Sequence, residues 1–132
     1  MLKKTITYTD FNGEERSEDF YFDLMESEIV EIEMGTTGGL SEMINRIVNT
    51  QDIPSIIEIF KDLILKAYGE RSDDGKKFIK VRNGVRLSEE FSQSNAYSVL
   101  FMELATDPKK AADFFNALIP QKKSENNKEN NS

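Results

Sequence analysis

The chain has 132 residues, 38% hydrophobic and 31% charged, which suits one domain around one core and excludes disorder throughout. Its 24 acids and 17 bases leave a net charge of −7, which argues against nonspecific binding to nucleic acid and against docking on an anionic membrane. It contains no Cys and no His, so disulfides, thiolate metal sites and the usual general base are excluded, and no apolar run approaches the ~20 residues of a membrane span. Residues 1–10 lack the apolar core of a signal peptide, and a cytoplasmic protein is the expectation.

Residues 2–9 alternate, with Leu2, Lys4, Ile6 and Tyr8 on one face and Lys3, Thr5, Thr7 and Thr9 on the other, a strand pattern. Asn12-Gly13 marks a turn, and residues 16–22 read as the return strand. A two-residue loop would pair Ile6 with Asp19 and send Phe20 and Phe22 to the threonine face. A three-residue loop, Phe11-Asn12-Gly13 with a left-handed Gly13, keeps Leu2, Ile6 and Tyr8 with Phe20 and Phe22. The second register is preferred, because a one-residue slip turns one strand's apolar set to solvent. Asp23 and Glu26 resemble a capping box, predicting a helix of about ten residues with Met25, Ile29, Val30 and Ile32 that stops by Gly35. After a loop over residues 36–39, residues 40–49 place Leu40, Met43, Ile44, Ile47 and Val48 on one helical stripe.

The stretch over residues 52–69, DIPSIIEIFKDLILKAYG, is the most apolar and is expected to be the central helix. Ile53, Ile56, Ile57, Phe60, Leu63, Ile64, Ala67 and Tyr68 recur at helical spacing, and Ile59 and Leu65 widen the face. Asp52 suits the N-cap, Pro54 the first turn, and Gly69 a left-handed end. Residues 70–77 read as a loop. Residues 78–81 and 85–87, around Arg82-Asn83-Gly84, read as a small second hairpin. Ser88 is expected to cap one helical turn through Phe91. Ser94 is expected to cap a helix bearing Tyr97, Leu100, Phe101, Leu104 and Ala105. Asp107-Pro108 opens a last helix with Ala111, Phe114, Phe115, Leu118 and Ile119 on one face, and Pro120 stops it. Residues 121–132 hold no apolar residue and read as a disordered polar tail. The fold class is therefore α+β and mostly helical: an N-terminal β-hairpin, then a bundle of about five helices, within one domain over residues 1–120.

Charge is unevenly spread: residues 10–33 carry ten acids against one base, Arg16, whereas residues 61–86 carry eight bases against four acids. The two segments can attract each other within one chain or between chains. Ser72-Asp73-Asp74-Gly75 is a fragment of a calcium loop, but Val81 stands where its closing Glu belongs, and a solvated turn is the simpler reading. The adjacent pairs Glu14/Glu15 and Glu89/Glu90 point apart on any regular element and form no acid–base dyad. Gly35-Thr36-Thr37-Gly38-Gly39 precedes a helix as a phosphate loop does, but Leu40-Ser41 replaces the Lys-Ser/Thr ending. Phe114, Phe115, Leu118 and Ile119 fit either a partner-binding ridge or a core face, and the acidic segment fits either a recognition surface or a solubilising one.

The segments TITYTDFNGEERSEDFYFDL, GGLSEMINRIVNTQD, IIEIFKDLILKAYGERSDDGKKFIK and FSQSNAYSVLFMELATD together resemble the tail assembly chaperones of long-tailed bacteriophages and their prophage relatives. The resemblance runs through most of residues 1–120. It implies a non-catalytic protein without cofactor, made in the host cytoplasm and absent from the finished virion. Such chaperones hold the long, aggregation-prone tape measure protein and help recruit tail tube subunits around it. Two other classes remain open: a structural tail or head-tail component retained in the particle, and a small enzyme using carboxylates.

The resemblance also implies a product in two lengths, the longer made by a programmed ribosomal frameshift and recruiting the tube subunits. Gln121-Lys122-Lys123 follows the last helix, and its A-rich codons can form the slippery heptamer A-AAA-AA(G/A). An ordinary solvated tail with a chance Lys pair is the alternative. If slippage operates, the DNA reads AAA at codon 122 with an open −1 frame beyond, and mass spectrometry finds peptides crossing from Lys123 into that frame. AAG at that codon, or a closed −1 frame, excludes the longer product as drawn.

Overall fold

The computed structural model describes residues 1–35, 37–49 and 53–119. The expected cap Asp52, the stop Pro120 and the tail with Gln121-Lys122-Lys123 lie outside the described residues, as do the side chains of Ile44, Ile47, Val48, Ile53, Pro54 and Ile56. The fold is α+β and mostly helical, opening with a hairpin of β1 (Leu2–Thr9) and β2 (Glu15–Phe22). Leu2 pairs with Phe22, Lys4 with Phe20, Ile6 with Glu18 and Tyr8 with Arg16, the register of the three-residue loop. Gly13 is left-handed at φ 85°, and the Asp10 N–H donates to the Glu14 carbonyl at 2.8 Å. The Asp10 carboxylate organises the loop by accepting from the Asn12 and Glu14 N–H groups and from Arg16 Nε. The Arg16 guanidinium, then the Glu14 N–H, hold its carboxyl below the usual range. Ile6 and Phe22 are buried, with Leu2, Tyr8 and Phe20 packed against the same core.

α1 (Glu26–Gly35) begins later than the capping-box reading placed it. The Asp23 carboxylate pairs with the N-terminal ammonium at 3.1 Å instead of capping. Glu28 takes the reciprocal role, accepting the Met25 N–H at 2.8 Å. α2 (Gly39–Asn49) buries Leu40 and Met43. α3 (Ile53–Ala67) buries Phe60, Leu63, Ile64 and Ala67, and Ile59 and Leu65 pack partly buried beside them, so the helix is covered on more than one side.

Gly69 does not end α3 in a left-handed turn. The chain passes directly into β3 (Tyr68–Arg71), which pairs antiparallel with β2 through Tyr21–Gly69 and Phe22–Tyr68, and with β4 (Phe78–Ile79). The hairpin thereby becomes a four-stranded sheet of order β1-β2-β3-β4. Glycine is required at position 69 for space: an added Cβ would lie 2.6 Å from the Phe78 ring and 2.7 Å from the Ile79 carbonyl oxygen. Phe78 and Ile79 belong to this sheet rather than to the second hairpin, which is β5 (Val81–Arg82) and β6 (Val85–Arg86) alone. Its turn residues Asn83 and Gly84 both have positive φ, as a two-residue Asn-Gly turn requires.

α4 (Leu87–Ser92) follows at once, with Arg86 rather than Ser88 at its N-cap and no side-chain capping bond. α5 (Asn95–Thr106) is capped by Ser94, which accepts from the Tyr97 N–H, and α6 (Pro108–Leu118) by Asp107, which accepts from the Lys109 and Lys110 N–H groups. The elements meet in a network of aromatic rings. Tyr68 stacks on Phe91 with centroids 4.2 Å apart, and Phe91 meets Phe22 and Tyr97 edge-on. From Phe22 the network continues through Phe114, Phe115 and Phe60 to Phe101. Lys80, between β4 and β5, adds a polar clasp, donating to the Asp23 carbonyl at 3.0 Å, to the Lys66 carbonyl at 2.7 Å and to the Glu28 carboxylate at 2.7 Å. The Lys66 carbonyl lies in the last turn of α3, where helix carbonyls lack intrahelical donors.

Leu63→Ala is expected to destabilise the fold by about 2–5 kcal/mol, because it removes a buried side chain from the core. A urea titration with an unchanged midpoint would mean that Leu63 contributes no buried contact. Lys80→Met, which keeps the aliphatic stem, should cost about 1–3 kcal/mol by leaving three acceptors without their donor. A thermal melt that matches wild type would show that water replaces the ammonium without loss.

Candidate functional site

The polar motifs resolve into local structure. In the turn after β3, Asp74 accepts from the Ser72 hydroxyl at 2.7 Å and the Lys76 N–H at 3.0 Å, and these bonds hold its carboxyl below the usual range. Its Oδ1 is thus committed to the turn. Among the described residues, no cluster of His, Cys, Asp or Glu is placed to hold a metal ion. Glu14, Glu15, Glu89 and Glu90 are all exposed, as solvated side chains. In the connector between α1 and α2, Gly38 and Gly39 adopt positive φ, and the Leu40 N–H donates to the Glu33 carboxylate at 2.8 Å. A carboxylate of the chain itself therefore occupies the first turn of α2, where a phosphate loop would bind its ligand.

Phe114, Phe115, Leu118 and Ile119 are buried, at 4%, 0%, 4% and 3% exposure. They come together on the inner face of α6 and its C-cap, while Lys109, Lys110, Asp113 and Asn116 face out. The apolar ridge is covered by the chain itself, so these four reach a partner only if α6 leaves the core.

The apolar surface that is open lies elsewhere. On α1, Met34 is 83% exposed and Val30, one turn before it, is 54% exposed. The sequence reading named Val30 with Met25, Ile29 and Ile32 on this helix without assigning it a face. Ile29, Val30, Ile32 and Met34 are spread around the helix, more than one buried stripe can hold, and that spread is the signal that some of them stay outside. Val99 and Met102 form a second exposed pair on α5. Between α1, α2 and α3 runs a groove of about 280 Å³ with Ile32, Met43, Ile59 and Leu63 as its apolar lining and Glu31, Asp62 and Lys66 as its charged lining. A second, larger groove of about 490 Å³ opens between β2 and β3, lined by Glu18, Asp19, Phe20, Tyr21, Tyr68, Gly69, Glu70 and Arg71. Burial, then the charge of Glu70, push the Tyr68 phenol up to about 12.

The acidic and basic segments meet within the chain. They do so through Lys80, which pairs with Glu28 at 2.7 Å. The pair of Arg82 with Glu70 at 2.9 Å stays within the basic segment, and that of Arg16 with Asp10 and Glu18 within the acidic one. No helix among the described residues is long and apolar enough to cross a membrane.

A family model described as phage tail assembly chaperone matches residues 1–132. No curated protein and no solved structure matches the chain. With the family match spanning hairpin, helices and tail alike, the chain belongs to the phage tail assembly chaperones.

Proposed function

We propose that this protein holds the tape measure protein during tail morphogenesis and helps bring tail tube subunits to it, acting without catalysis or cofactor in the host cytoplasm and leaving before the virion is complete. The observation that carries this reading is the family match over the whole chain. The surface supports it. A holder must cover a client's apolar stripe and keep the complex soluble. The α1–α2–α3 groove, beside a helix that exposes Val30 and Met34, offers apolar lining within an acidic molecule. A client helix would lay its apolar face there and leave its polar face in water. The α6 quartet of Phe114, Phe115, Leu118 and Ile119 joins such a contact only by unpacking α6, which forfeits about 1.5–3 kcal/mol per buried side chain. Tube recruitment falls to a frameshifted longer form in this reading, and self-association through the oppositely charged segments is a further proposal that salt would weaken.

The test is co-purification with tape measure fragments. Met34→Glu should lower affinity by about tenfold, the ~1.4 kcal/mol expected from losing part of an apolar contact, with an unchanged circular dichroism spectrum. Phe115→Glu should lose the fold itself, since it buries a carboxylate without a partner. Unchanged affinity in folded Met34→Glu counts against the α1 surface, and wild type that forms no complex with any fragment counts against the holding role. Abundant copies in purified virions would favour a structural component.

A further inference from the structure

The β2–β3 seam is short. The ladder closes at Tyr21–Gly69, after which Glu70 and Arg71 turn to pair with β4. The parity of the hairpin then decides what is left over. The Asp10–Glu14 bond makes the even-numbered residues of β1 and β2 the pairs that exchange hydrogen bonds, because such pairs alternate along an antiparallel ladder. The backbone groups of Glu15, Ser17 and Asp19 therefore point away from β1, and among the described residues no strand pairs with them. Glu15, Arg16, Ser17 and Asp19 are exposed, and the large groove lies alongside, lined by Phe20 and Tyr68. The usual protections of an edge strand are a bulge, a proline or an inward charge. β2 has none of the first two: its register with β1 runs unbroken over eight pairs, and it holds no proline.

What the edge does have is sign. Glu15, Glu18 and Asp19 lie along it, and its base Arg16 is held by Asp10 at 2.6 Å and faces Glu18 at 3.5 Å. A second copy of β2, paired antiparallel about Ser17, would set Glu15 against Asp19 twice, and like charges directly opposite oppose pairing. The same acids would pair with Lys or Arg on an incoming strand.

We propose that the β2 edge from Glu15 to Asp19 is a strand-addition site for an extended basic segment of a partner protein, with Lys or Arg at alternate positions. Main-chain bonds to Glu15, Ser17 and Asp19 would supply the pairing, and the acids would select the sign. This goes beyond the chaperone reading, because it concerns a strand on the sheet edge and not a helical client on α1. The two fail separately: loss of tape measure binding leaves the edge untouched.

The probe is a capped nine-residue peptide alternating Lys and Val, titrated into the full chain at low salt, with the matching Glu/Val peptide as control. Hydrogen exchange at the Glu15, Ser17 and Asp19 amides should slow by about tenfold or more with the Lys peptide, while the control leaves them unchanged. Ser17→Pro removes an outward donor and should abolish this protection. Where that variant fails to fold, the double variant Glu15→Lys with Asp19→Lys keeps the backbone and should reverse the preference towards the Glu peptide. Equal binding of both peptides, slowed exchange confined to other amides, or protection of Ser17 that grows with protein concentration alone would each overturn the proposal, the last in favour of self-pairing.

Discussion

The stacked rings of Tyr68 and Phe91 carry the architecture. Tyr68 is the residue at which α3 gives way to β3, and Phe91 lies on α4, so one face-to-face contact ties the central helix, the sheet and the second half of the chain. Phe20 and Phe22 approach Phe91 from β2, at 5.3 and 5.8 Å, and Tyr97 from α5 at 5.7 Å. Ring pairs in such offset and edge-on geometries contribute about 0.5–1.5 kcal/mol beyond area burial, and each also fixes an angle between elements. The hairpin register matters because of these rings: a shift of one residue would remove Phe20 and Phe22 from the stack and leave it without its β2 side.

Much of this was legible from residue types. The hairpin register followed from keeping two apolar sets on one face, and the caps at Ser94 and Asp107 from side chains that satisfy free amides. The core face of α3 followed from spacing, and it held at Phe60, Leu63, Ile64 and Ala67. β3 was not legible. Tyr68 continues the helical period, Glu70 and Arg71 are polar, and a four-residue strand is defined by partners far away in the chain. Asp23 and Ser88 each had cap chemistry, but a cap also needs the helix to start beside it, which local sequence fixes poorly. Periodicity on α6 showed that one face is apolar without showing what covers it, and Phe114 and Phe115 prove to lie against Phe22 and Phe60.

The charges show a related division. Lys80 lies in the basic segment, yet its ammonium is spent on the end of α3 and on Glu28, inside the fold. The acids of β2 have fewer partners within the chain. Glu18 accepts from the Tyr8 hydroxyl and Asp19 from the Thr5 hydroxyl, each through one carboxylate oxygen. Binding capacity in this protein therefore concentrates where backbone or apolar groups are open beside exposed acids, on the sheet edge and on α1, and not where the sequence is most apolar.

The burial of α6 also bears on synthesis. Domains assemble as their parts leave the ribosome, from the N-terminus onwards. The hairpin closes on itself through Asp10 and can form early, but Phe22 and Phe60 receive Phe114 and Phe115 only when α6 has emerged. Until then the nascent chain carries an uncovered apolar wall, so a ribosome that pauses before Leu118 displays a sticky half-built core, and one that pauses well after it displays that wall covered by α6.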